Sequence, residues 1–235
     1  MTAYSVILPC YNEAKGLAAL LARYAAVRGD LDLEVICVDN GSRDDTPAVL
    51  AAVLPQYPWA RSIRVEPNRG YGDGINQGLK VARGEWLAWS HADLQTDPGD
   101  VVAAFRALAA SADPRRTLVK GLRTGRAFKD QIITWGMQAV ALVTLRGWYP
   151  HINAQPKAFH RDLLQHLPNP PVNFNFDIYA LYQARRHGWR TTTITVFFPP
   201  RPHGVSNWAG SWRSKVRTIR GSIWFMTKLG LGIWR

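Results

Sequence analysis

Four times in the first half of the chain, a short apolar run stops at a polar cluster and gives way to residues with helical spacing. No other feature constrains the fold as strongly. Ser5 to Cys10 reads as a strand, and the stretch from Ala14 to Arg28 carries Leu17, Leu20, Leu21 and Tyr24 at helical intervals. Glu34 to Asp39 reads as the next strand and Thr46 to Leu54 as the next helix. Ile63 to Glu66 is a third candidate strand, followed by a glycine-rich turn and a helix from about Gly74 to Ala82. Glu85 to Ser90 is a fourth, followed by a helix from Pro98 to Ala110 with Asp97 as its cap. This rhythm predicts an α/β fold with a mostly parallel central sheet flanked by helices. Ligands in such sheets bind beyond the carboxyl ends of the strands, where the polar clusters fall.

The second half is less regular. Thr117 to Leu122 reads as a strand, Asp130 to Leu145 as an apolar helix and Lys157 to His160 as a short strand. Phe176 to His187 reads as a helix and Thr192 to Phe198 as a β-branched strand. From Ser211 the chain turns helical, with Trp212, Val216, Ile219, Ile223 and Met226 along one side and Arg213, Lys215, Arg217 and Arg220 largely elsewhere. The pattern fits an amphipathic interfacial helix and also an ordinary surface helix packed on a core. The expected division is one α/β domain over residues 1–210 and a basic amphipathic tail over residues 211–235.

Composition matters mainly through charge. The formal net charge is +12, and from Ile178 to Arg235 there are ten Lys or Arg and no Asp or Glu. Such a field attracts nucleic acid, anionic lipid headgroups or phosphorylated substrates. No stretch reaches the roughly 18 apolar residues of a membrane span, and the N-terminus lacks a signal-peptide pattern. The expectation is a cytoplasmic protein peripherally associated with the cytoplasmic membrane. Cys10 and Cys37 lie in apolar runs and read as buried free thiols.

The run SHADLQTDP at positions 90–98 places Asp93 and Gln95 just past a strand. A carboxylate and an amide oxygen there suit a hard divalent ion. They equally suit a turn or helix cap.

Four motifs occur in order: VILPCYNE at 6–13, VDNGSRDDT at 38–46, NRGYGDGINQGL at 68–79 and SHADLQTDP at 90–98. KGLRTGR at 120–126, INAQPKAF at 152–159, NFNFDIYAL at 173–181 and FPPRPHGVS at 198–206 continue the series. Together they resemble the inverting family 2 glycosyltransferases of the GT-A fold, most of all the dolichol-phosphate mannose synthase group, which glycosylates polyprenyl phosphates. The resemblance implies a donor pocket lined by Pro9, Tyr11, Asn12, Glu13, Asp39, Asp73, Ala92 and Asp93. It implies a Mg²⁺ or Mn²⁺ ion on Asp93 and Gln95, with His91 standing where the family usually carries an acid. It places Arg123, Arg126 and Arg201 on the phosphates, and Gln155, Asp177, His203 and Ser206 about the sugar and acceptor. Ser42, Asp44 and Thr46 read as the turn and cap of their own helix.

The function so implied is transfer of a hexose from a UDP- or GDP-sugar to a polyprenyl phosphate, with inversion, at an anionic membrane surface and with no role for nucleic acid. Two rivals follow from the same residues. One is a GT-A enzyme acting on a sugar hydroxyl, with Asp177 as base. The other is a non-catalytic polyanion-binding module, which the charge supports but no recognition motif does.

Overall fold

The computed structural model describes residues 3–125, 128–199 and 212–234. Its first half runs β1 (Tyr4–Cys10), α1 (Ala14–Arg28), β2 (Leu33–Asp39), α2 (Thr46–Val53), β3 (Ala60–Arg64), α3 (Tyr71–Val81), β4 (Trp86–Trp89) and α4 (Pro98–Ala109). The second half runs β5 (Thr117–Thr124), α5 (Phe128–Leu145), β6 (Lys157–His160), α6 (Phe176–Arg186), β7 (Arg190–Phe197) and α7 (Trp212–Gly230). The seven strands form one sheet in the order β3-β2-β1-β4-β6-β5-β7. Only β6 is antiparallel to its neighbours, β4 and β5. The fold is therefore the expected mostly parallel α/β arrangement.

Alternation along the strands feeds two cores. Val6 and Leu8 of β1 pack with Val35, Cys37 and the helices α1 and α4 on one face. Ile7 between them packs with Ile36, Val38 and Trp89 on the other, beneath α3, α6, α5 and α7. Each such large apolar side chain contributes about 1.5–3 kcal/mol by leaving water. Cys10 and Cys37 are free and buried. The strand order switches at β1, whose neighbours are β2 and β4. Ligands of doubly wound sheets sit outside the carboxyl ends at such a switch.

Two elements depart from the sequence expectation. β3 runs Ala60–Arg64 rather than Ile63 to Glu66, with Ala60 opposite Val35 and Arg64 opposite Asp39. It is an edge strand, so Arg61, Ser62 and Arg64 could stay polar and weaken the apolar signal. α3 begins at Tyr71, so the glycine-rich stretch forms its first turns rather than a loop. The glycines serve close packing. A Cβ on Gly72 would lie 2.3 Å from the Pro171 carbonyl oxygen, and one on Gly78 would lie 2.5 Å from Ile7 Cγ2.

α7 lies against α5, with Phe225, Met226 and Leu229 buried in the same core as Ala141 and Leu145. Of the expected apolar stripe, Met226 is covered while Ile223 is 37% exposed; neighbouring Trp224 is 57% exposed. Among the described residues no helix is long and apolar enough to cross a membrane.

Candidate active site

The first two strand ends are joined by hydrogen bonds from side chain to backbone. Asn12 N–H donates to Ser42 Oγ at 3.0 Å and Glu13 N–H to Thr46 Oγ1 at 2.9 Å. Ala14 N–H donates to Asp44 Oδ2 at 3.3 Å. Ser42 and Thr46 therefore hold the turn that leads into α1 and Asp44 accepts from its first N–H, so the three serve more than their own turn, a correction to the local expectation. Asp44 Oδ1 also accepts from Thr46 N–H at 3.0 Å. Burial raises the Asp44 carboxyl, but the hydrogen bonds from Thr46 and Ala14 outweigh it and hold it below its ordinary range. Asn12 takes a φ of 58°, a left-handed turn that asparagine tolerates. The loop bearing Pro9, Tyr11, Asn12 and Glu13 is thus braced from a loop some thirty residues away.

Asp39 ends β2 and is 2% exposed. Its Oδ1 accepts from Ser42 N–H at 2.9 Å, and its Oδ2 is paired with Arg64. Arg64, on the edge strand, was not singled out from the sequence. Asp73 lies in the first turn of α3, where its Oδ1 accepts from Gln77 Nε2 at 3.0 Å. Asn40 donates through Nδ2 to the Gly70 carbonyl at 2.8 Å, tying β2 to the start of α3.

Beyond β4 the chain enters the candidate metal motif. Ala92 and Asp93 are buried, and Leu94 adopts a φ of 62°. A branched residue in that region stores backbone strain, of the kind that gathers at functional sites. Leu94 packs 3.5 Å from where a Cβ on Gly16 would stand, so α1 holds the turn. Asp93 Oδ1 accepts from Gln95 N–H at 3.1 Å. Gln95 Nε2 donates to the Pro199 carbonyl at 3.0 Å. A carbonyl only accepts, so this contact leaves Gln95 Oε1 as the amide atom available to a cation. Among the described residues no group of three or more His, Cys, Asp or Glu is gathered for a metal. The donor set of Asp93 and Gln95 fits Mg²⁺ or Mn²⁺, which accept a few protein oxygens and take the rest from phosphates and water.

His91 takes no part in such a set. Its Nε2 lies 3.3 Å from Arg123 Nη2. Guanidinium nitrogens only donate, so Nε2 accepts and the ring is neutral. Burial pushes its pKa down to about 4, and Arg123 adds to the effect while Asp93 opposes it. The Arg123 guanidinium also lies 4.1 Å over the Phe198 ring and donates to the Asn153 carbonyl. Its backbone N–H donates to His151 Nδ1 at 3.2 Å. Arg123 is thus brought to the metal motif from β5. Arg126, Arg201, His203 and Ser206 lie outside the described residues.

Beneath this surface sits a buried polar cluster. Asp177, at the start of α6, is 1% exposed. Its Oδ1 accepts from Lys157 Nζ at 2.6 Å, Gln155 Nε2 at 3.0 Å and Trp89 Nε1 at 3.1 Å. Lys157 is fully buried. Burial pulls its ammonium down, and Asp177 opposes this. Lys120 lies 1% exposed and donates to the Pro150 carbonyl at 2.6 Å. Burial, then Lys157 and Arg123, hold it well below the ordinary lysine range. Gln155 reaches on to the Tyr71 hydroxyl at 2.7 Å. Sequence reasoning missed Lys120, Lys157, Trp89 and Tyr71. The available signal was a lysine inside each of two apolar strands, VKGL and KAFH.

The fold and motifs have known counterparts. The chain is 29% identical over 225 residues to an uncharacterized glycosyltransferase of Mycobacterium tuberculosis strain H37Rv, covering 92% of this chain and 94% of that protein. It is 36% identical over 214 residues to the undecaprenyl-phosphate 4-deoxy-4-formamido-L-arabinose transferase of Pseudomonas syringae pv. syringae strain B728a. That match covers 87% of this chain and 60% of the longer relative. The fold superposes with a TM-score of 0.76 on glucosyl-3-phosphoglycerate synthase from Mycobacterium tuberculosis, solved with Mn²⁺, uridine diphosphate and glucosyl-3-phosphoglycerate. Identity there is 18%, with 98% of this chain and 80% of that one covered, and the shared architecture is the GT-A fold. Residues 5–185 match the model of glycosyl transferase family 2. This chain, with its motifs at the carboxyl ends of a GT-A sheet, belongs to that family and is a glycosyltransferase.

Proposed function

We propose that the protein transfers a hexose from a UDP- or GDP-sugar to a polyprenyl phosphate, with inversion, at the cytoplasmic face of a membrane. The observation that carries this reading is the convergence of Arg123 with the Asp93 motif through His91. A site for this reaction must hold two mutually repelling anions, the acceptor phosphate and the donor diphosphate. Arg123 supplies a forked donor suited to phosphate oxygens, and Arg126 and Arg201 are proposed to join it. Asp93 and Gln95 would hold a divalent ion, which when bound offsets the charge of the departing diphosphate. Pro9, Tyr11, Asn12, Glu13, Asp39, Asp73 and Ala92 form the proposed nucleotide side, and Gln155, His203 and Ser206 the sugar and acceptor side. A phosphate monoester, with a second pKa of about 6, needs no general base. The relative named as an undecaprenyl-phosphate transferase supports this acceptor class.

The hydroxyl-acceptor reading requires Asp177 as a base. It is 1% exposed, and its Oδ1 is engaged by three internal donors, one of them the Lys157 ammonium, rather than open to a substrate hydroxyl. Family membership sets aside the non-catalytic polyanion module.

The membrane part of the proposal rests on α5 and α7. Trp135 and Trp148 are 50% and 58% exposed, Trp224 is 57% exposed, and the basic residues Arg217 and Arg220 lie exposed nearby on α7. Exposed tryptophans beside basic residues suit a headgroup interface. The test is incubation with a panel of nucleotide sugars, Mn²⁺ and a short polyprenyl phosphate carried in anionic vesicles, followed by mass measurement of the lipid. A glycosylated lipid phosphate is expected. Transfer only to soluble sugars would overturn the acceptor assignment.

A further inference from the structure

Tyr71 and Gln155 form a matched pair of polar side chains, of which the reading above uses only Gln155 and gives it no specific contact. Gln155 is fully buried between Asp177 and Tyr71. Its orientation is decided by Asp177, because a carboxylate oxygen accepts and so the amide atom 3.0 Å from it is the NH₂. One hydrogen of that group goes to Asp177. The other goes to the Tyr71 hydroxyl, which must accept it. The Tyr71 hydrogen is therefore turned away from Gln155, and no acceptor for it is found among the described residues. Gln155 Oε1 is buried without a hydrogen-bond partner among the described residues.

One unused donor and one unused acceptor thus belong to one hydrogen-bonded pair of side chains. Buried polar groups are almost always satisfied, and a hydroxyl group, which donates and accepts, satisfies both. The location favours a substrate hydroxyl. The Tyr71 ring stacks on Phe174 at 5.0 Å between centroids and lies 6.3 Å from His91, at the start of the metal motif. Lys157 and Trp89 anchor Asp177 from below, so the pair is preset before substrate arrives.

We propose that Tyr71 Oη and Gln155 Oε1 read one hydroxyl of the transferred sugar, the tyrosine donating to it and the glutamine accepting from it. This rests on the glycosyl-transfer reading above and adds a specificity-determining residue, Tyr71, to it.

The experiment uses the full chain, Mn²⁺, the nucleotide sugar found active in the panel and its monodeoxy analogues. The wild type is expected to lose about 10- to 100-fold in kcat/KM with one monodeoxy donor, the usual effect of one unmade buried hydrogen bond. Tyr71→Phe should lose a similar factor with the parent donor and no longer distinguish that analogue from it. Gln155→Met removes the acceptor by a different change and should erase the same discrimination. Binding of the parent nucleotide diphosphate with Mn²⁺ should be unchanged in Tyr71→Phe, which shows that fold and nucleotide site persist. Equal use of all monodeoxy donors by the wild type would mean that the pair holds only water, and would overturn the inference. So would full retention of the discrimination by both variants. If the wild type transferred from no nucleotide sugar, the underlying reading would fall first and this one with it.

Discussion

In the half of the sheet built from β1, β2 and β4, polar side chains at strand ends bond to backbone amides of the adjoining loop or helix start. Ser42, Asp44 and Thr46 brace α1, and Asp97 caps α4 through Gly99 N–H at 2.7 Å. In the half built from β5 and β6, two lysines and an aspartate are removed from water, Lys157 paired with Asp177 and Lys120 bonded to the Pro150 carbonyl. The first arrangement braces the rim of the proposed nucleotide side at little electrostatic cost. The second places charge under the proposed reaction site, where a breach leaves an uncompensated ion. One rim is built from turn and cap bonds between two neighbouring loops, and the other from charges paired inside the core.

That contrast can be broken most forcefully at Lys157. Lys157→Met leaves Asp177 buried and unpaired, and should cost about 3–5 kcal/mol of stability. Adding Asp177→Leu should recover most of it, as denaturant melts would show. A loss no greater than that of a surface substitution would mean the two halves do not differ. Next comes Asp93→Ala, expected to lower kcat by roughly 10²–10³ with the melting temperature nearly unchanged, the scale of losing one major electrostatic contact. Steady-state rates across a Mn²⁺ titration read it.

Smaller effects sharpen the local side. Thr46→Val removes a bridging acceptor from Glu13 N–H and should cost about 1 kcal/mol, the usual value of a lost cap. A loss as large as that at Lys157 would show that this rim is equally critical. Least of all is Asp100→Asn. Burial, then neighbouring Asp97, push the Asp100 carboxyl up to about 6. Its folded pKa lies above its unfolded value, so its relative stabilisation is present below about pH 4 and lost as pH rises through about 6. Asp100→Asn should therefore melt slightly higher than wild type at pH 7 and show no such gain at pH 4. Thermal melts at the two pH values check the sign.

Legibility follows the same division. α1 was readable over its full length because Leu17, Leu20, Leu21 and Tyr24 keep helical spacing and all are buried. Asp97 and Pro98 marked the start of α4 because a cap acts on neighbours in sequence. β3 was misplaced because an edge strand leaves one side to solvent and lacks a continuous apolar run. The start of α3 was misread because its glycines looked like loop residues, whereas they admit the Pro171 backbone and the β1 side chains. Of the candidate phosphate-binding arginines, Arg123 is brought to His91, while Arg126 and Arg201 fall outside the described residues.

The order of strands and helices and the polar clusters at strand ends follow from the sequence by itself. They rest on residue spacing and on turn and cap chemistry, which act over a few residues. Only the tertiary structure decided that β6 runs antiparallel between β4 and β5, that Lys157 meets Asp177, and that Gln155 turns its amide toward Tyr71. Those partners are separated by 20 to 84 residues, and a buried charge or amide can be paired only by what the packed fold brings beside it.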